Sequence, residues 1–122
     1  MFLKLNHQKL DIYKISSQFV FECYKLTRRL PVEGKFGVIV QIRRAALAVH
    51  LNIAEGASRK SATERKRYYE IARGSVIEID AALDIAETLE YLQEIEIQNS
   101  GNLIINCFKI LRGMINPKPK DH

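Results

Sequence analysis

The sequence predicts an all-α protein, folded as an antiparallel up-down four-helix bundle. Apolar residues recur at spacings of three and four in four separate segments, which is the period of an amphipathic helix. No segment shows the period of two that is typical of strands. Prolines fall outside the periodic segments, and the connections are short enough for neighbouring helices to run antiparallel. We expect one domain over residues 1–116 and a flexible C-terminal tail over 117–122.

The first helix is predicted from about Leu10 to Arg29, before Pro31. Its core stripe is Ile12, Ile15, Phe19, Cys23, Leu26 and Leu30. A second apolar stripe lies beside the first and consists of Tyr13, Val20, Phe21 and Tyr24. A helix that is apolar well beyond one stripe is usually covered on a second side. The second stripe either caps the edge of the core or forms an oligomer interface, and we take the interface as the prediction.

The second helix is predicted from about Lys35 to Glu55. Its core stripe is Val38, Ile42, Ala45, Val49 and Ile53. Small side chains at Ala45, Ala46 and Ala48 keep its surface low, so that a neighbouring helix can approach closely. Gly56 then stands where a left-handed residue commonly ends a helix, and we expect it to end this one.

The third helix has a clear start, because Ser61 to Glu64 match a capping box in which the Ser61 hydroxyl accepts from the Glu64 amide and the Glu64 side chain reaches back. Its core stripe is Tyr69, Ala72, Val76, Ile79, Leu83 and Ala86, and Leu89 could extend it. Gly74-Ser75 interrupts good helix formers at a cost of about 1 kcal/mol relative to alanine. That cost predicts a close helix crossing at Gly74.

The fourth helix is predicted from the helical spacing of Ile104, Cys107, Leu111 and Met114, with Pro117 beyond its end. Residues 99–102, Asn-Ser-Gly-Asn, could be a loop before this helix or a weak turn inside it. The sequence leaves both alternatives open.

Several classes of site are missing from the sequence. Cys23 and Cys107 form no Cys-x-x-Cys motif, which favours reduced core thiols over a disulfide or a metal site. The histidines His7, His50 and His122 lack the Glu-x-x-His spacing of a di-metal bundle. There is no Gly-rich phosphate loop and no nucleophile–base pair. We therefore predict no catalytic residue, no metal, no cofactor and no enzymatic activity.

The chain shows no sign of export or of a membrane span. Lys4 follows Met1-Phe2-Leu3 at once, so no signal peptide is expected. No window approaches the ~20 apolar residues of a membrane helix. We expect a cytoplasmic location and no membrane partner.

The net charge of +5 is unevenly distributed. Residues 25–73 carry twelve Lys or Arg against four acids, whereas residues 74–108 carry seven acids and no Lys or Arg. The third helix therefore has cations at its start and carboxylates at its end, opposite to the preference of the helix dipole. Three partners could compensate: the neighbouring end of helix two with Glu55, another subunit in a head-to-tail ring, or a nucleic-acid phosphate. The sequence leaves all three open.

If the partner is RNA or DNA, the turn before helix three and its first residues supply the phosphate contacts. The first candidates are Arg59, Lys60, Arg65, Lys66 and Arg67. The second candidates are Arg43, Arg44 and Arg73. Such contacts hold the backbone without reading base sequence.

The segment from Leu30 to Asp80 contains a joint pattern of short motifs. The motifs are Leu30-Pro31, Phe36-Gly37, Gln41 to Ala46, Asn52 to Gly56, Arg59, Ile71-Ala72 and Gly74-Ser75. In this pattern the chain resembles the bacterial four-helix bundle proteins that are encoded within intervening sequences of 23S ribosomal RNA genes. It is also similar to the accessory variability determinant of diversity-generating retroelements. His50 stands where the family often has serine.

The resemblance implies a ring-shaped homo-oligomer, typically a homopentamer. The retroelement proteins bind nucleic acid through a basic surface, whereas the intervening-sequence proteins have no settled biochemical role. The retroelement proteins also associate with a reverse transcriptase, so the alternative function is a protein-interaction adaptor, for example an accessory subunit of such a polymerase. Gln41, Arg44, Asn52 and Glu55 could form a polar network between helices or between subunits, with Gly56 and Gly74 completing the structural motif.

Overall fold

Four α-helices make up the fold in the computed structural model of the chain, which describes residues 2–5, 8, 10–34, 36–93 and 95–117. The helices are α1 (Asp11–Thr27), α2 (Val38–Ser58), α3 (Ala62–Thr88) and α4 (Gln98–Ile115), with a 3-10 turn at Val32–Gly34 between α1 and α2. No strand occurs among these residues. The all-α four-helix prediction is confirmed, and the ring assembly stays a prediction.

The helices run antiparallel around one core. Each helix packs against the next one in the chain, and α4 also packs against α1. Ser16 near the start of α1 contacts His50 near the end of α2, and Thr27 at the end of α1 contacts Arg43 near the start of α2. The start of α3 lies beside the end of α2, where Arg59 contacts Tyr68. It also lies beside the end of α4, where residues of both helices line one pocket.

The core is aliphatic, with one buried phenylalanine at its centre. Its largest fully buried side chains include Phe19, Ile42, Val49, Ile53, Val76, Ile79 and Leu111. These residues all belong to the predicted stripes. Four residues predicted with them lie only at the edge of the core: Ile15, Val38, Leu83 and Met114. Ile115 takes the buried position beside Met114, and Leu89 is exposed.

Both cysteines are buried in this core with free thiols. Burial raises the pKa of Cys107 to about 12. Burial raises the pKa of Cys23 to about 12 as well, and the nearby Cys107 and Glu22 add to the effect. Both thiols are therefore protonated in the folded protein at neutral pH.

Gly56 does not end α2. The helix continues to Ser58, and no described glycine has a positive φ, so the predicted left-handed terminator was wrong. A Cβ at Gly56 would lie 2.9 Å from the Cβ of Tyr68 and 2.9 Å from Cε1 of Tyr69. Gly56 is thus needed because α3 passes too close for any side chain.

Gly74 behaves in the opposite way. A Cβ at Gly74 would meet nothing within 4 Å, so the predicted close crossing at this residue was wrong within the described chain. Its neighbour Ser75 is the buried member of the pair. The cost of the glycine is therefore not offset by a close contact with the described residues.

The ends of α3 follow capping rules at both sides. Ser61 Oγ accepts from the Glu64 amide at 3.1 Å, which confirms the predicted cap, although Glu64 makes no return bond to Ser61 among the described residues. At the other end the Tyr91 amide donates to the Ala86 carbonyl and the Glu90 amide to the Glu87 carbonyl, a Schellman motif. Glu90 holds the left-handed position with φ of 63°.

The fourth helix begins earlier than its apolar stripe. Residues 99–102 lie inside α4, and Ser100 is buried, so the loop alternative was wrong. The predicted tail lies outside the described residues except for Pro117.

Candidate nucleic-acid interface

Arg59 joins the end of α2 to the start of α3. Its Nη2 donates to Glu55 Oε2 at 3.2 Å and to the Tyr68 hydroxyl at 2.9 Å. Its guanidinium carbon lies 4.9 Å from the centroid of the Tyr68 ring. The Nε of Arg59 is buried and has no acceptor among the described residues. These contacts fix the guanidinium against both helices.

Arg65 closes the same turn from the other side. Its Nη1 donates to the carbonyl oxygens of Arg59 at 3.0 Å and Lys60 at 2.8 Å. Carbonyls at and just beyond a helix C-terminus lack helical partners, and a cation there is favoured by the helix dipole. The intramolecular alternative for the reversed charge of α3 therefore holds for Arg59 and Arg65.

The other three first candidates remain available to a ligand. Lys60, Lys66 and Arg67 are exposed, and none of their side chains makes a hydrogen bond or an ion pair with a described residue. We call these three residues the basic turn cluster. They lie within eight residues of one another at the end of the bundle formed by the α2–α3 turn.

The second candidates do not join the basic turn cluster. Arg43 Nε donates to Thr27 Oγ1 at 2.8 Å, and its guanidinium carbon lies 4.8 Å from the Tyr24 ring centroid, so Arg43 connects α1 with α2. At 1.5 Å per residue, Arg43 and the exposed Arg44 lie about 24 Å along α2 from Arg59. Arg73 is partly exposed and about 12 Å along α3 from Arg65.

A pocket of about 410 Å³ opens beside the basic turn cluster, between the start of α3 and the end of α4. Lys66 and Arg65 lie at its rim, and Tyr69, Met114 and Ile115 supply apolar surface. Burial raises the pKa of Tyr69, and the nearby Arg65 opposes that rise. The pocket combines cations with an apolar floor.

The structural motif does not form a polar network within the described chain. Asn52 Nδ2 donates to the Ala48 carbonyl of its own helix at 2.8 Å, and Glu55 pairs with Arg59. Gln41 and Arg44 are exposed and have no polar partner among the described residues. The network between helices was therefore wrong, while the network between subunits stays a prediction.

The second apolar stripe of α1 lies along its groove with α2. Tyr13 and Val20 pack partly against the core, and Tyr24 lies under Arg43. Phe21 faces outward with 58% of its surface exposed. The stripe thus contributes to the edge of the core, and its exposed member is Phe21. The oligomer interface at this stripe stays a prediction.

His50 lies at the contact between α1 and α2. Its ring centroid lies 4.4 Å from that of Tyr13, and its Nδ1 is 2.8 Å from the buried Ser16 hydroxyl. The hydroxyl also donates to the Tyr13 carbonyl at 2.9 Å. His50 therefore links α2 to α1 through these contacts.

A family model described as "23S rRNA-intervening sequence protein" matches residues 8–113. The chain belongs to this family. The match spans α1, α2, α3 and nearly all of α4, which confirms the resemblance drawn from residues 30–80. No curated protein matches the chain.

The described residues of this intervening-sequence protein contain no group of three or more His, Cys, Asp and Glu side chains placed to share a metal ion. None of the described helices is both long enough and apolar enough to cross a membrane. His7 and His122 lie outside the residues described.

Proposed function

We propose that this intervening-sequence protein is a non-enzymatic oligomeric protein that binds the backbone of RNA or DNA through the basic turn cluster. The observation that carries the proposal is the state of Lys60, Lys66 and Arg67. All three are exposed at one turn, and none of their side chains forms an ion pair with a described carboxylate. In RNA and DNA, the anionic groups that such a cluster binds are the phosphates of the backbone.

The helix dipole supports an anion at this position. Lys66 and Arg67 occupy the first turns of α3, where positive charge is unfavourable by about 0.3–1 kcal/mol per residue at low salt. The first amides of a helix also lack intrahelical acceptors. A phosphate near Lys60 would accept from these groups and offset the repulsion.

The two fixed arginines support the proposal indirectly. Arg59 and Arg65 hold the α2–α3 turn in one conformation through bonds to Glu55, Tyr68 and the turn carbonyls. A cluster on a fixed turn loses less conformational freedom on binding than one on a mobile loop. We therefore assign Arg59 and Arg65 to positioning the turn, and Lys60, Lys66 and Arg67 to phosphate contact.

Assembly with further copies is the second part of the proposal. The α1–α2 face presents Phe21, Leu47 and Leu51 as exposed apolar side chains beside the partly buried Tyr13 and Val20. Contiguous apolar surface of this kind favours protein contact. Light scattering is expected to give several times the 14.0 kDa of one chain, five times by family resemblance. The mass of one chain at micromolar concentration would contradict this part.

The experiment for binding measures the fluorescence anisotropy of a labelled single-stranded RNA of mixed sequence at rising salt. Affinity should fall steeply with salt, because each phosphate contact releases counterions. The variant Lys60→Glu/Lys66→Glu/Arg67→Glu should lower the slope of log K against log salt by about 2, at about 0.7 per contact for single strands. A duplex DNA of the same length tests whether both nucleic acids bind.

The matched control reverses three exposed cations on the outer side of α1, Lys14→Glu/Lys25→Glu/Arg28→Glu, with the same change in net charge. It should keep most of the slope. Equal loss in both variants would show that only net charge attracts RNA, and no binding of the natural protein at low salt would refute the function. Circular dichroism should show unchanged helicity in both variants, because all six side chains are exposed.

A further inference from the structure

A second open pocket lies in the groove between α3 and α4, on the side of the bundle away from the α1–α2 groove. It has a volume of about 390 Å³. Its lining consists of Val76, Ile77, Asp80, Ile104, Ile105, Phe108, Lys109 and Arg112. We call it the α3–α4 groove. None of these residues has a role in the proposed nucleic-acid site.

The walls of the α3–α4 groove carry two large aliphatic side chains that the core does not use. Ile77 is 52% exposed and Ile105 is 54% exposed, one from each helix. Val76 and Ile104 are buried beneath them, and Phe108 is half-buried. An exposed isoleucine on its own needs no explanation, but two that line one concave apolar surface indicate a contact with another molecule.

The charges around the groove are mainly positive. Lys109 and Arg112 lie on the α4 side, and Asp80 lies on the α3 side. The guanidinium carbon of Arg112 is 5.9 Å from the centroid of the Phe108 ring, so that its charge lies next to the apolar floor. Neither cation forms an ion pair with a described carboxylate.

We propose that the α3–α4 groove binds one amphipathic helix of another protein, with aliphatic side chains on its inner face and carboxylates on the flank that lies beside α4. A groove between two packed helices takes a third helix, which anchors residues at spacings of three and four. Aliphatic side chains would pack between Ile77 and Ile105. Carboxylates on the flank would meet Lys109 and Arg112 and reinforce both affinity and orientation.

The nature of the walls favours a helix over a nucleic acid at this place. Single-stranded nucleic acids bind on exposed aromatic rings within basic grooves. Here the ring of Phe108 is half-buried with Arg112 beside it, whereas the exposed groups are aliphatic. Lys66 of the basic turn cluster lies eleven residues before Ile77, about 16 Å along α3. The groove and the nucleic-acid site can therefore be tested separately.

The test uses labelled synthetic helices of about 18 residues, which span some 27 Å. One peptide carries leucines at helical spacing with glutamates on both flanks, a second has lysines in place of the glutamates, and a third scrambles the first. Fluorescence anisotropy should show the glutamate peptide binding at least about tenfold more tightly than the lysine peptide, with no binding of the scrambled one.

Two variants assign the binding to the groove. Ile77→Ser/Ile105→Ser should weaken the glutamate peptide by about tenfold or more, since it removes both apolar anchors. The matched control is Ile71→Ser/Ile85→Ser, because these isoleucines are 45% and 52% exposed on α3 but do not line the groove. Lys109→Glu/Arg112→Glu should reverse the order of the glutamate and lysine peptides.

Four results would overturn the proposal. The glutamate peptide could bind no better than the scrambled one at about 100 μM. The control pair could weaken it as much as the groove pair does. The groove pair could lower RNA affinity and leave peptide affinity unchanged, which would make the groove a nucleic-acid site. The groove pair could also change the mass measured by light scattering, which would make the groove a contact between copies of this chain.

Discussion

Replacing Gly56 with alanine is expected to destabilise the protein even though the residue lies inside a helix. Gly56 has no positive φ, so alanine meets no backbone strain. In an open helix position the change would stabilise by about 1 kcal/mol through helix propensity. At Gly56, however, the new Cβ would lie 2.9 Å from Tyr68 Cβ and 2.9 Å from Tyr69 Cε1. The first of these atoms is attached directly to the α3 backbone, so relief requires a shift of the helix.

The size of the effect follows from two opposed terms. Overpacking a close contact typically costs about 1–3 kcal/mol. Subtracting the gain in propensity of about 1 kcal/mol leaves a net loss of up to roughly 2 kcal/mol. For a chain of this length that loss lowers the melting temperature by up to about 8 °C. The bond of Arg59 to Tyr68 should weaken at the same time, because it spans the displaced contact.

Gly74→Ala is the matched control, since the added Cβ meets nothing within 4 Å. It should stabilise the chain by up to about 1 kcal/mol. Both variants are compared with the natural protein by urea unfolding followed by circular dichroism, at one protein concentration because assembly would shift the midpoint. An alanine at Gly56 as stable as the natural residue would refute the close approach of α3. A loss at Gly74 would show that another subunit packs there.

Two further predictions concern the end of α3 and the core. Glu90→Gly should raise the free energy of unfolding by roughly 0.5–1 kcal/mol, because glycine removes the cost of a left-handed φ. Glu90→Ala removes only the charge and should give no such gain. An equal gain in both variants would contradict the role of the left-handed φ. Because burial raises the pKa of Cys23 and Cys107 to about 12, their contribution to stability is complete below about pH 8.5 and is lost as pH rises towards 12. A thiol reagent at pH 8 should label both cysteines in denaturant and neither in the native protein, and rapid native labelling would contradict their burial.

Periodicity determined the helices and the core but not the exact roles of the glycines. The stripes containing Phe19, Val49 and Ile79 are buried as predicted, because the period of 3.6 residues alone fixes which side chains share a face. Propensity cannot say whether a helical glycine faces a neighbour or open space. Gly56 and Gly74 look alike in sequence and differ only in what lies next to them.

In the candidate site, too, the sequence predicted one part of the arrangement and only the fold decided the other. Composition and position singled out five cations around the α2–α3 turn, and these do lie near one another because a short turn leaves them little separation. Only the folded chain separates Arg59 and Arg65, which bind the turn, from Lys60, Lys66 and Arg67, which do not. The acceptor atoms for Arg65 are backbone carbonyls, and no residue type in the sequence marks them.

The sequence by itself therefore determined the fold class, the family and the stretch of chain that carries the excess of cations. These properties depend on side-chain period and on the order of residues, both of which are local. The tertiary structure decided which cations are exposed without a partner, and it placed Ile77 of α3 beside Ile105 of α4. That pairing depends on how two helices pack, and residues twenty-eight positions apart carry no local signal of it.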